Sequence, residues 1–192
     1  MSAGRLAEEI AACRLCERHL PHGVRPVASF SPTARLLIIG QAPGSKVHQS
    51  GIPWDDASGD RLRDWTGLTR EKMYDPSQVA LVPMGFCYPG KASGGDKPPR
   101  PECAPHWHDR VLDLLPEDRL TLLVGTYAQA RYLPETRKLS LAQRVRGFRE
   151  YLPDFLPLPH PSWRSTMFMR ANPWFEEELV PALRKAVAQR IR

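Results

Sequence analysis

The sequence predicts an α/β domain with a mainly parallel sheet, and two patterns along its 192 residues support that class. Short, continuous apolar runs of the kind found in buried parallel strands recur along the chain. Helix-like stretches lie between these runs, and alternation of strands with helices is typical of a parallel sheet covered by helices. A chain of this length can bury a full core without disulfide bonds. We therefore expect residues 1–192 to form a single domain.

Four apolar runs are the candidate strands. They are Arg35–Ile39, Val79–Val82, Leu120–Val124 and Phe155–Leu158. The first and third run into a glycine and the fourth into Pro159, residues that allow a sharp turn where a strand stops. Ligands of open α/β sheets bind outside the carboxyl ends of the strands, so the segments after these runs are the first candidates for a functional site.

Helical patterns fill the intervals. Residues 4–20 place Leu6, Ile10 and Cys13 on one face, and Ser58 is a candidate N-cap for Gly59–Leu68. The remaining candidate helices are Glu102–Leu115, Thr126–Leu133 and Trp174–Arg190. By contrast, Gly90–Pro101 is rich in glycine, proline and lysine, and we expect a flexible basic loop there.

Composition restricts the function classes. The formal charge of +6 and the isoelectric point near 9.4 suit a polyanionic partner but do not require one. No apolar run reaches the length of a membrane span, and the first residues lack the pattern of a signal peptide. We expect a cytoplasmic protein, in a compartment that keeps thiols reduced.

The four cysteines form two unequal pairs. Cys13 and Cys16 are a C-x-x-C, whereas fifteen residues separate Cys87 from Cys103. Four thiolates are what a tetrahedral zinc ion or an iron–sulfur cluster needs, although the wide second pair is not the usual zinc-ribbon spacing. Two disulfides, or four unrelated buried thiols, are the alternatives.

Three motifs follow the candidate strands. The first runs from Gly40-Gln41-Ala42-Pro43-Gly44 to the segment Gly51-Ile52-Pro53-Trp54. The second is Pro83–Cys87, and the third is His160-Pro161-Ser162-Trp163-Arg164. Each is weak alone, because a G-Q-A-P-G turn, a single histidine or a single tryptophan is more often structural than functional.

Taken in order with the cysteines, these motifs resemble the uracil-DNA glycosylase superfamily, closest to its iron–sulfur branches, families 4 and 5. The resemblance covers Cys13 to Arg164. It implies a three-layer α/β/α sandwich around a four-stranded, mainly parallel sheet. It also implies a [4Fe–4S] cluster held by Cys13, Cys16, Cys87 and Cys103, with zinc as the alternative.

The same resemblance implies a base-excision-repair enzyme. It would be a monofunctional, monomeric glycosylase that hydrolyses the N-glycosidic bond of uracil, or of another deaminated base, in DNA and leaves an abasic site. His160 matches the histidine that stabilises the departing base, and Trp54 matches the aromatic residue, usually phenylalanine, that stacks on it. Gln41 can orient a water molecule or bind the base edge, and the backbone N–H groups of Ala42 and Gly44 can contact base or phosphate.

The DNA itself is expected to meet the third motif. Ser162 is a candidate phosphate ligand, and Trp163 or Arg164 is a candidate wedge for the space that the flipped nucleotide leaves. Basic residues at two places are further candidates for phosphate contact. They are Lys91, Lys97 and Arg100 on the loop between the cysteines, and the run Arg137, Lys138, Arg144, Arg146 and Arg149.

Two departures from the family pattern leave alternatives open. Gln41 stands where relatives often have an acidic residue, and no asparagine precedes Cys87 to read the uracil edge. Asp55, Asp56 and His48 are nearby in sequence and are candidates for the missing chemistry, or are exposed loop residues. A weakly active or non-catalytic iron–sulfur DNA-binding relative is therefore the second hypothesis. A zinc-stabilised hydrolase of another ester or glycoside is the third, and it is disfavoured because the chain has no G-x-S-x-G motif.

Overall fold

The computed structural model describes residues 2–191 and confirms the predicted three-layer α/β/α architecture. The strands are β1 (Leu36–Ile39), β2 (Val79–Leu81), β3 (Lys91–Ala92), β4 (Gly95–Asp96), β5 (Leu120–Val124) and β6 (Phe155–Leu158). Four of them form a parallel sheet in the order β2-β1-β5-β6, while β3 and β4 form a separate antiparallel hairpin. The parallel sheet places the carboxyl ends of its strands along one edge of the molecule.

Nine α-helices are present in the described part of the chain. They are α1 (Ala3–Ala11), α2 (Ser45–Ser50), α3 (Ala57–Thr66), α4 (Arg70–Met73), α5 (Cys103–Leu112), α6 (Thr126–Tyr132), α7 (Leu141–Arg146), α8 (Ser165–Ala171) and α9 (Val180–Ala188). A π-helical turn, Phe175–Leu179, leads directly into α9. No helix within residues 2–191 combines the length and apolar character that crossing a membrane requires.

The alternation of side chains along β1 shows how the sheet separates two helical layers. Leu36 and Ile38 point to a core shared with α3, α7 and α9. Leu37 and Ile39 point to the opposite core, which α1, α5 and α6 complete. All four side chains are fully buried, which explains why the strand reads as an unbroken apolar run in the sequence.

The strands were predicted more accurately than the helices. All four predicted strands exist, and two of them have the predicted bounds. The helix predicted over residues 4–20 is wrong in length, because α1 ends at Ala11 and the chain then turns through the two N-terminal cysteines. The predicted cap Ser58 is also wrong. The carboxylate of Asp56 caps α3 instead, accepting a hydrogen bond from the Gly59 N–H at 2.9 Å.

The segment expected to be a flexible loop carries the β3–β4 hairpin. Lys91 pairs with Asp96 and Ala92 pairs with Gly95, and the Lys97 N–H donates to the Gly90 carbonyl at 2.8 Å. Glycines at positive φ form the turn, with Gly94 at +85° and Gly95 at +158°. The hairpin therefore has a defined course over the protein surface between Cys87 and Cys103.

Candidate active site

Residues from the first and third motifs meet at the carboxyl edge of the sheet. Gly40 follows β1, Gly125 follows β5 and His160 follows β6, and these strands are neighbours. The rings of Trp54 and His160 lie 5.9 Å apart between centroids, and a Cβ on Gly125 would lie 3.7 Å from the His160 Cβ. The predicted site residues His160 and Trp54 are thus brought together, although more than a hundred residues separate them in sequence.

The backbone of Trp54 adopts an unusual conformation that its neighbours maintain. Its φ of +58° is rare for a bulky residue, and such a conformation costs about 1–3 kcal/mol. The Tyr74 hydroxyl donates to the Trp54 carbonyl at 3.1 Å. Gly59 lies against the same carbonyl so closely that a Cβ there would be 1.7 Å from its oxygen. These contacts hold the indole in place over the first loop.

The indole of Trp54 covers the end of β1. A Cβ on Gly40 would lie 2.5 Å from the Trp54 Cζ2 atom, so only glycine allows the ring to approach this closely. The Trp54 and His160 rings are tilted by 33°. Carbon atoms in contact lie about 3.5–4.0 Å apart, so a base cannot insert between two rings whose centroids are this close. The two rings therefore form one wall of the site.

His160 is the titratable ring of this wall, and it follows β6, the last strand in the sheet order. Burial lowers the pKa of its imidazole, and the carboxylates of Asp56 and Asp96 act weakly in the opposite direction. The ring is consequently neutral at neutral pH and carries one N–H donor. No hydrogen bond within residues 2–191 contributes to this pKa shift, so the N–H donor is available to a ligand.

The first loop is fixed by the segment that follows β2. The Met84 N–H donates to the Gly40 carbonyl at 2.9 Å and the Gly85 N–H donates to the Gln41 carbonyl at 3.0 Å. These two N–H groups are used within the fold and cannot replace the asparagine that this segment lacks. In the described chain, the N–H groups of Ala42 and Gly44 have no protein acceptor, and these are the predicted backbone donors.

Two carboxylates approach the same loop. A Cβ on Gly44 would lie 3.4 Å from the Asp96 Oδ2 and 3.9 Å from the Asp56 Oδ2. Asp55 is instead held by Arg70 at 2.9 Å, and the hydrogen bond from that guanidinium lowers the pKa of the Asp55 carboxyl. His48 lies beside the carbonyl of His22 at 3.1 Å. Of the three residues proposed from proximity in sequence, Asp56 brings its side chain to Gly44, whereas His48 contacts Gly44 through its backbone N–H, at 2.8 Å from the carbonyl.

Sequence reasoning missed Asp96. The segment that carries it was expected to be a flexible loop with a basic character. The lysines on either side of Asp96 gave the segment that basic character, so its one acidic residue was not considered as a site residue. The available signal was the glycine pair before Asp96, which favours a tight hairpin turn.

The third motif continues from His160 into α8. Arg61 donates to the Ser162 carbonyl at 2.6 Å and to the Ser165 hydroxyl at 2.8 Å, which fixes the turn before α8. Arg164 donates to the Gly94 carbonyl in the hairpin, whereas Trp163 is 73% exposed. Of the two candidate wedges, Trp163 therefore has the more exposed side chain, with the Arg164 guanidinium 5.4 Å from the centre of its ring.

The predicted phosphate-binding role of the basic run does not fit the structure at Arg144, whereas at the exposed Arg146 and Arg149 it stays a prediction. Arg144 is only 8% exposed and donates to the Gln129 side chain at 3.0 Å. Arg146 and Arg149 both pair with Glu178, at 2.8 and 3.1 Å.

The role of Arg144 is to support the sheet. The Gln129 amide that it holds donates to the carbonyls of Leu123 and Leu158, at 3.1 and 2.8 Å, and so joins the ends of β5 and β6. Gln129 and Arg144 therefore brace the strand ends next to His160, and sequence reasoning missed both roles.

The four cysteines line one cavity. Cys13 and Cys16 follow α1, Cys87 follows β2 and Cys103 begins α5, and all four are free thiols rather than disulfides. Burial, with smaller contributions from the neighbouring cysteines, raises the pKa of Cys103 to about 12 and that of Cys87 to about 11. Buried thiols with such values would be stabilised as thiolates only by a bound cation or cluster.

One of the four thiols already has a hydrogen-bond donor. Among residues 2–191, no group of three or more histidine, cysteine or carboxylate side chains that could hold a metal ion is found. An iron–sulfur cluster bonds each thiolate to a different iron atom, whereas a zinc ion bonds all of its ligands at one centre. The Phe86 N–H already donates to the Cys103 sulfur at 3.2 Å, the kind of contact that stabilises a cluster thiolate.

A comparison with protein families identifies the fold and the site together. The model described as the uracil DNA glycosylase superfamily matches residues 27–184. The matched region contains the whole parallel sheet, the loops carrying Gln41, Trp54 and His160, and the two C-terminal cysteines. It begins after Cys13 and Cys16.

Proposed function

Because the chain belongs to the uracil DNA glycosylase superfamily, we propose that it hydrolyses the N-glycosidic bond of uracil in DNA and leaves an abasic site. The observation that carries the proposal is the environment of His160. This half-buried imidazole, whose pKa is lowered by burial, stands at the end of β6, and no hydrogen bond within residues 2–191 contributes to that shift. A positioned N–H donor without a partner is what a departing base anion requires.

The reaction places negative charge on the base. As the bond between C1′ and the base nitrogen breaks, its electron pair leaves with the base and spreads over the carbonyl oxygens. The His160 N–H is the donor for that charge, and loss of such a donor costs about 10²–10³ in rate. A neutral imidazole can give this hydrogen bond without transferring its proton.

Recognition of the base is proposed to rest on backbone donors. Deamination replaces an amino group of the base with a carbonyl, which converts a hydrogen-bond donor into an acceptor. The N–H groups of Ala42 and Gly44 and the amide of Gln41 offer donors suited to such carbonyls. Because no asparagine reads the full uracil edge, we expect other deaminated bases to be accepted as well. Trp54 would add stacking worth about 1–3 kcal/mol.

The DNA contacts are proposed to lie beside His160. The base has to leave the helix before it reaches this site, and an exposed apolar side chain can fill the space it leaves. Trp163 has that character, and Met167, one turn further along α8, is equally exposed. The backbone N–H of Ser162 already donates to the His160 carbonyl at 2.8 Å. The Ser162 hydroxyl is therefore the group that we propose for the phosphate contact.

Excision assays with a histidine pair test this proposal. Labelled oligonucleotides with one uracil, single-stranded or opposite guanine or adenine, should break at that position after alkali. His160→Ala should lower single-turnover cleavage by about 10²–10³. His106→Ala is the matched control, because His106 is exposed on α5. Unchanged cleavage by His160→Ala would contradict the assignment. Salt-sensitive DNA binding without cleavage would favour the non-catalytic relative.

We further propose that Cys13, Cys16, Cys87 and Cys103 hold a [4Fe–4S] cluster. Four free thiols around one cavity support this donor set. The cluster would supply structure rather than hydrolytic chemistry, because it would join the end of α1 to the start of α5 and close the segment that carries the hairpin. Iron and sulfide analysis with a visible absorption spectrum tests it. Cys87→Ser should lose the absorption, and stoichiometric zinc without iron would contradict the cluster.

A further inference from the structure

The β3–β4 hairpin is attached to the active site at several points. Its return strand, β4, leads to Pro99, which packs against Gly85. A Cβ placed on Gly85 would lie 3.0 Å from the Pro99 Cβ. Its turn receives the hydrogen bond from Arg164 to Gly94, in the motif that follows His160. These contacts connect the hairpin both to the segment that fixes Gln41 and to the turn before α8.

The hairpin brings one carboxylate to the first loop. The Asp96 Oδ2 lies 3.4 Å from the Cβ position at Gly44, and the Asp96 carboxylate has a side-chain hydrogen bond with Tyr88. The charges of Asp56 and Asp96 both act on His160. Asp96 itself is exposed, so water reaches it freely. The Gly40–Gly44 loop contains no acidic side chain, and its Gln41 amide can neither accept a proton from water nor supply negative charge.

We propose that Asp96 is the carboxylate that positions the attacking water and stabilises the cationic sugar, a role that rests on the glycosylase function proposed above. In this step the bond between C1′ and the base nitrogen breaks, and its electron pair leaves with the base. The oxygen of water bonds to C1′, and the proton that this water loses passes to the Asp96 carboxylate. The base anion, held by the His160 N–H, takes its proton from solvent after release.

Asp56 is the competing carboxylate, and its contacts make it less suitable. Its Oδ1 accepts the Gly59 N–H at 2.9 Å to cap α3, so this oxygen already has a protein partner. Its Oδ2 is also farther from Gly44, at 3.9 Å against 3.4 Å for Asp96. Asparagine caps helices as well as aspartate does, so Asp56→Asn removes the charge while it keeps the cap.

Single-turnover excision by the full-length protein tests Asp96. Asp96→Asn should lower the cleavage rate by about 10² or more, as loss of a general base does, and Asp96→Glu should restore part of it. Asp56→Asn and the exposed hairpin variant Ser93→Ala should stay close to wild type. Cleavage by Asp96→Asn at the wild-type rate, or loss of cleavage in Asp56→Asn alone, would overturn the assignment and leave the glycosylase function intact.

A binding measurement separates this inference from the proposed function. Oligonucleotides with a cationic pyrrolidine or a neutral tetrahydrofuran abasic analogue differ mainly in the charge that Asp96 would meet. The wild-type protein should prefer the cationic analogue, and Asp96→Asn should lose about tenfold of that preference while binding the neutral one equally. Failure of the wild type to cleave any deaminated base would reject the function. An unchanged preference in Asp96→Asn would then reject the role of Asp96 independently.

Discussion

Replacing Gly59 with alanine should destabilise this protein, although the same change in a helix ordinarily has the opposite effect. Alanine is favoured over glycine inside a helix by about 0.5–1 kcal/mol. At Gly59, however, the new Cβ would stand 1.7 Å from the Trp54 carbonyl oxygen and 2.7 Å from its carbon. Both are backbone atoms, so no side-chain rotation relieves the overlap.

The size of the effect follows from what has to move. Ordinary contact needs about 3.5 Å, so the carbonyl must retreat by more than 1 Å. That movement breaks the hydrogen bond from Tyr74, now 3.1 Å, which is worth about 1 kcal/mol. Overpacking adds about 1–3 kcal/mol. After the gain in helix propensity is subtracted, we expect a net loss of about 2 kcal/mol and an indole displaced from Gly40.

Urea unfolding followed by circular dichroism, with Gly4→Ala as the control, measures this difference. Gly4 lies in α1 and a Cβ there would meet nothing within 4 Å, so Gly4→Ala should stabilise by a few tenths to about 1 kcal/mol. Gly59→Ala should also lower uracil excision more than its stability loss explains. If both variants gain stability alike, the close approach of Trp54 to Gly59 is wrong.

Three further outcomes follow from the described contacts. Burial lowers the pKa of His108 to about 4, so as the pH falls this imidazole takes up a proton in the unfolded chain before it does so in the folded protein. Stability in urea should therefore fall by about 3 kcal/mol between pH 6.5 and pH 4, and His108→Gln should remove that dependence. Arg144→Met should destabilise by about 2 kcal/mol, measured by Tm, and leave the salt dependence of DNA binding unchanged. Trp163→Ala should keep stability within about 0.5 kcal/mol but lower excision from duplex more than from single-stranded DNA.

The strands could be predicted from the sequence because a parallel strand that is buried on both faces is apolar at nearly every position. Leu120–Val124 is buried at every position, and its bounds were predicted without error. Short helices lack that clarity. The helices α2, α4, α7 and α8 have four to seven residues each, too few for a 3.6-residue pattern to emerge. Local turns also ended α1 earlier than its apolar spacing indicated.

The site was predictable where chain topology alone brings residues together. Gly40 follows β1 and His160 follows β6, two parallel strands with only β5 between them, so both lie at the carboxyl edge that the α/β prediction indicates. Side-chain networks did not follow in this way. Arg144 reads as a surface cation in a basic run, yet it is buried beside Gln129 and holds the strand ends. Charge in a sequence does not reveal which cations the tertiary structure has already paired.

The hairpin between Cys87 and Cys103 shows most clearly where sequence reasoning ends. The lack of an acidic side chain at Gln41 is visible in the sequence, but a compensating group need not be nearby in the chain. Bringing the two ends of a segment together limits where its middle can lie. The cysteine cavity holds the ends of the segment that carries this hairpin, and the hydrogen bond from Arg164 to Gly94 holds its turn. A cluster bound by the cysteines would therefore act on catalysis indirectly, by holding Asp96 over Gly44. Loss of the cluster should then lower excision in the same way as Asp96→Asn, before the sheet itself unfolds.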